Sequence, residues 1–156
     1  MRNRNTQSRL FRSALLAALL LGAGASCSDH SSPEKLMAEA KLLKQKGQQK
    51  SAIIQLKNLL EMQPQNADAR LFLGELYLET GSPDLAEIEL QKALSGKVDR
   101  PTVYLAWAKS LLERGEYKKL LSLQPELAPQ LAQDPDWLAM KAHGLADSGK
   151  IDEAKA

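Results

Sequence analysis

Sulfur and imidazole are scarce in this chain. Its 156 residues include one cysteine, Cys27, and two histidines, His30 and His143. One cysteine excludes an intramolecular disulfide and any multi-cysteine metal site. Two distant histidines leave little for zinc or a histidine-based catalytic unit. Aromatics make up only 4%, so leucine and alanine must build the core, which favours helix on helix. Basic excess is missing from the body of the chain. Four of the 21 basic residues, Arg2, Arg4, Arg9 and Arg12, fall in the first dozen positions, leaving 17 against 19 acids. That balance speaks against nucleic-acid binding.

Catalytic constellations are missing too. No glycine-rich phosphate loop follows a strand, because no strand pattern is present. Glu87 and Glu89 stand two apart on a helix and point to different faces, so they are not a catalytic pair. Glu75 and Glu79 do share a face, where such charge is usually solvated. His143 reads as a groove or surface residue rather than a base. Trp107 and Trp137 read as packing residues at helix junctions. No cofactor, metal or enzymatic activity is expected.

What is present begins with an address. Residues 1–12 are basic and polar, Ala14–Leu21 is an unbroken apolar run, and Gly22–Ser26 is small. This is the layout of a secretory signal, and the apolar run is shorter than the ~20 residues of a membrane-spanning helix. Two cleavage points compete. Ala23-Gly24-Ala25 would cut before Ser26. Ala25-Ser26-Cys27 resembles the end of a bacterial lipoprotein signal, although that family's leucine three residues before the cysteine is Gly24 here. The resemblance implies residues 1–26 as signal, lipid on Cys27, and residues 27–32 as a polar tether. Ser28 after the cysteine resembles an outer-membrane sorting signal, so an exported, periplasm-facing lipoprotein is expected. Several acyl chains on one residue suffice for stable anchoring.

The rest of the chain repeats itself. Gly47, Gly81, Gly115 and Gly149 are spaced by 34 residues. In phase with them run Pro33, Ala67, Pro101 and Pro135, then Ala40, Gly74, Ala108 and Ala142, then Leu43, Tyr77, Leu111 and Leu145. Ala52, Ala86 and Ala154 share a further register, broken by Leu120, and Leu56 and Leu90 another, broken by Gln124. Each register has a physical role. Proline suits the first position of a helix, after a cap such as Ser32 or Asp134, and Asn66 can cap in the same way. The small residues let a second helix cross closely, and glycine ends the first helix with a left-handed φ. Second helices are expected over Lys50–Met62, Asp84–Leu94 and a shorter Glu116–Leu123. In Asp84–Leu94 the apolar residues Leu85, Ala86, Ile88, Leu90, Ala93 and Leu94 largely follow one face. Leu127–Gln133 is expected to be irregular.

This pattern resembles the tetratricopeptide repeat, a 34-residue helix–turn–helix. Leu73-Gly74, Tyr77, Ala86, Leu90 and Ala93 occupy that family's signature positions. The resemblance implies an all-α fold: an α-solenoid of stacked antiparallel helix pairs with units at 33–66, 67–100, 101–134 and an incomplete 135–156. A solenoid needs a capping element, so a longer native chain is expected. The runs AIIQLKN (52–58) and ARLFLGELYLE (69–79) further resemble the repeat lipoprotein of exosortase/PEP-CTERM systems. That implies an envelope scaffold in protein sorting or exopolysaccharide export. An assembly factor for client peptides, or the non-catalytic start of a larger envelope enzyme, are the alternatives.

In this superfamily the first helices line an inner groove. The register places Asp68, Leu71, Glu75 and Leu78 there, then Thr102, Leu105, Lys109 and Leu112, then Asp136, Ala139, His143 and Ala146. A mixed apolar and charged surface of this kind suits a protein or peptide partner. The leucines read equally well as inter-repeat core. Of the places used by chaperone-type carboxylate clamps, namely Met37, Lys41, Phe72, Thr102 and Ala106, only Lys41 fits, so that function is not expected.

Overall fold

A computed structural model describes residues 32–123 and 129–149. The signal-like residues 1–26, Cys27 and most of the tether lie outside them. So does the part of the incomplete fourth unit that follows Gly149.

Among the described residues the chain is helical throughout, with seven α-helices and one 3₁₀ helix. They are α1 (Pro33–Gln45), α2 (Gln49–Met62), α3 (Ala67–Glu79), α4 (Pro83–Ala93), α5 (Arg100–Glu113), α6 (Tyr117–Ser122) and α7 (Pro135–Asp147), with Pro129–Gln133 the 3₁₀ turn. Helix α1 packs on α2, α3 on α4 and α5 on α6, and each pair leans on the next through α2 with α3 and α4 with α5. This is the expected stack of helical hairpins. No helix among the described residues is long and apolar enough to cross a membrane.

The caps follow the local sequence. Ser32, Asn66, Asp99 and Asp134 each accept a hydrogen bond from a backbone N–H of the following first turn, which satisfies a donor that the helix leaves open. Asp99 shifts the third unit by one residue: α5 starts at Arg100, and Pro101 takes its second position.

The glycine turns repeat closely. Gly47, Gly81 and Gly115 have φ near +70°. At each, the glycine N–H donates to the carbonyl three back, as Gly47 to Lys44 at 2.9 Å. The next N–H reaches five back: Gln48 to Leu43 at 2.9 Å, Ser82 to Tyr77 at 2.8 Å, Glu116 to Leu111 at 2.9 Å. These paired bonds are a Schellman closure. The carbonyls that accept the second bond belong to Leu43, Tyr77 and Leu111, the register that keeps a fixed distance from the glycines.

The core is a ladder of small and leucine side chains. Ala40, Ala52, Leu56, Ala86, Leu90 and Ala108 are all fully buried. One cluster joins the first two units, and a second joins Tyr104, Ala108, Leu111, Leu120, Leu131 and Trp137. Leu94 and Trp107 pack against both clusters and so bridge them. Gly74 shows why its register is small, since a β-carbon there would stand 2.7 Å from Leu90 Cγ.

Three local expectations change. Leu85 and Ile88 are 47% and 48% exposed. The apolar side chains that helix α4 buries fully are the stripe Ala86, Leu90 and Ala93, and Leu85 and Ile88 fall off that stripe. Pro129–Gln133 is a 3₁₀ helix rather than irregular chain, with proline at its first residue, where no N–H is needed. In the fourth unit Ala142 is only half-buried, and the close approach is made two residues on, by Gly144.

Candidate functional site

The first helices α1, α3, α5 and α7 present one turn-by-turn face to a chain of open cavities. One of them is about 660 Å³ and is walled by Glu75, Leu78, Thr102, Leu105, Lys109, Leu112, Asp136 and Ala139 among others. A second cavity, about 430 Å³, takes in Asp68, Leu71 and Glu75 together with Met37, Lys41 and Phe72. A third, about 370 Å³, is lined by Pro33, Glu34, Met37, Lys41 and Asp68 among others. Shared walls join them: Met37, Lys41 and Asp68 belong to the second and third, Glu75 to the first and second. The inner face is therefore a continuous trough.

Ten of the twelve residues singled out from the sequence lie along it. Ala146 does not wall these cavities, and neither does His143. Its Nε2 turns along α7 to Asp147 Oδ2 at 3.0 Å, with the side chain 58% exposed. An exposed i,i+4 pair of this kind is a helix-surface interaction.

The trough also holds residues that the sequence reading left out. Lys44 and Glu34 wall it, and they sit one 34-residue step before Leu78 and Asp68. Ala38, Phe72, Ala106 and Met140 form a further register on the same walls. Extending the spacing back to the first unit finds Glu34 and Lys44, whereas the second set lies on a register of its own, to which the clamp places Phe72 and Ala106 belong.

The charges in the trough are unevenly matched. Lys44 Nζ pairs with Glu79 Oε1 at 2.7 Å and stands 5.5 Å from the centre of the Phe72 ring. Glu75 is half-buried. Burial pushes its carboxyl above the usual range, Lys44 partly opposes that, and Glu79 adds to it.

A different charge cluster sits between α4 and the third unit. Glu87 is 7% exposed. It accepts from Trp107 Nε1 at 3.2 Å, from Gln91 Nε2 at 2.8 Å, and from Lys119 and Arg114. Arg114 also reaches Asp84 at 2.6 Å and Glu116 at 2.5 Å. Burial alone would raise the Glu87 pKa. Hydrogen bonds from Lys119 and Trp107 and the charges of Lys119 and Arg114 outweigh burial and hold it below the usual range. Trp107 is thus a donor as well as a packing residue. All of these acceptor sites are filled, so the cluster joins elements and offers no open chemistry.

Among the described residues no group of three or more histidine, cysteine, aspartate or glutamate side chains could hold a metal ion. No curated protein matches the sequence significantly. The family model described as the tetratricopeptide repeat matches residues 43–109, from the end of α1 into α5. Over that stretch, less than half of the chain, the sequence is similar to tetratricopeptide repeats.

Proposed function

We propose that the chain is a membrane-tethered scaffold of a bacterial envelope, holding segments of partner proteins in the trough of its first helices. Its setting is the export of polysaccharide or the sorting of exported proteins. The observation that supports it most is the joined run of cavities, which recurs in the repeat register and alternates apolar and charged walls. Rigid, periodically spaced pockets suit an extended or helical segment.

The tether rests on sequence alone. Cys27 follows an apolar run and precedes the polar stretch Ser28-Asp29-His30-Ser31-Ser32. It lies outside the described residues.

Two measurements test the proposal on the full chain expressed in a bacterial host. Mass spectrometry of the mature N-terminus should find a diacylglyceryl group on Cys27, and Cys27→Ala should release the protein from membranes. A free amine on Ser26 overturns the tether. Pull-down from membranes should recover envelope proteins, and recovery should fall when Glu75→Ala is combined with Lys109→Ala. Unchanged recovery overturns the trough as the binding surface.

A further inference from the structure

The trough also carries information about what it selects, and this inference rests on the interaction reading just given. Its starting point is Glu75, the residue shared by the two larger cavities. Around it Leu78 is buried, and Leu71, Phe72 and Leu105 are half-buried. The Glu75 carboxylate makes no hydrogen bond or ion pair among the described residues. The cation whose charge reaches it, Lys44, is already held by Glu79.

An ionised carboxylate taken partly out of water and left unpaired raises the free energy of the empty protein. A cation brought to it from outside removes that cost. Lysine and arginine suit the place for a second reason. Their methylene stems cover apolar surface while the charged end reaches a polar partner, and the walls beside Glu75 are leucine and phenylalanine. A small amine would satisfy the charge but not the length, because the cavities on either side of Glu75 continue along the trough. The body carries no excess of positive charge, so a nucleic-acid backbone is not favoured. We propose that Glu75 anchors a lysine or arginine side chain of an extended protein segment whose neighbouring residues are aliphatic.

The test uses the full chain, immobilised, and a phage-displayed library of random twelve-residue peptides. Selected peptides should carry lysine or arginine at one fixed position with aliphatic neighbours. Replacing that residue by norleucine in the synthetic peptide should weaken binding about tenfold or more, as should Glu75→Gln in the protein. Glu113→Gln, which removes an exposed carboxylate that walls none of these cavities, should leave the affinity within about twofold if the effect belongs to Glu75 and not to net charge. The norleucine comparison uses the unaltered protein, so it holds even where a variant folds poorly. Peptides that lose binding on trough substitutions but show no fixed basic position overturn this inference and leave the trough reading standing. Selected peptides that are indifferent to every trough substitution overturn both.

Discussion

Leu120 and Gly144 are fitted to one another: Leu120 Cδ2 stands 2.9 Å from where a β-carbon on residue 144 would sit. Leu120 occupies the register held by Ala52 and Ala86 in the first two units, and all three are fully buried. The third unit puts a larger side chain there, on a helix of only six residues. Helix α7 makes room by presenting a glycine. A short helix buries little surface, and one fully sunk leucine offsets part of that loss.

Gly144→Ala is expected to destabilise the chain by about 1–3 kcal/mol, because the added methyl pushes on a side chain with no free space. Leu120→Ala is expected to cost about 2–5 kcal/mol through the cavity it leaves. The double variant should cost less than the sum, since the new methyl enters the vacated space. Urea unfolding of the four proteins checks this, and strict additivity would refute the fit.

Gly81→Ala should lose about 1–2 kcal/mol for a different reason. Its φ of +71° lies in the left-handed region, where a β-carbon is strained. Nothing stands within 4 Å of the position that carbon would take, so the loss is purely one of backbone. Gly81→Asn, which tolerates that conformation better, should lose less. Thermal midpoints of the two variants give the order.

Glu87→Gln should destabilise by about 1–3 kcal/mol at neutral pH, since Arg114 and Lys119 lose a charged acceptor in a nearly buried place. The folded protein holds this carboxyl below its usual pKa. Its contribution is therefore full above the ordinary carboxylate range and disappears as pH falls through the lowered value. The gap in thermal midpoint between the two proteins should close in acid. A gap independent of pH would show that size and shape, not charge, hold the cluster.

Glu75→Gln should act in the opposite sense. The folded state raises this pKa, so ionisation costs stability as pH climbs from the unfolded value through the folded one. The glutamine variant should melt higher than the parent near pH 7 and lose that advantage below the ordinary carboxylate range. Melting curves at the two pH values, without ligand, decide it.

The periodic parts of this fold were readable from the residues. The glycine turns, the caps Ser32, Asn66 and Asp134, and most of the trough follow from a 34-residue spacing. Each is a local device that recurs with the chain. What escaped notice is aperiodic. Glu87 meets Trp107, Arg114 and Lys119 across separations of 20, 27 and 32 residues, none of which is a repeat step. The mutual fit of Leu120 and Gly144 was hidden for the same reason, since it joins two departures from the register. His143 illustrates the converse: it keeps the spacing of Lys41, Glu75 and Lys109, yet a neighbouring aspartate on its own helix takes its side chain.

The triple Schellman closure bears on how such a chain can grow. Each hairpin is shut by the same two backbone bonds, independent of side-chain identity except at the glycine. A 34-residue cassette copied or excised in frame preserves both turn and trough, so the length of the reading surface can alter in whole steps. Insertions of other lengths would rotate every later helix away from the ligand track, however well they suited helix formation.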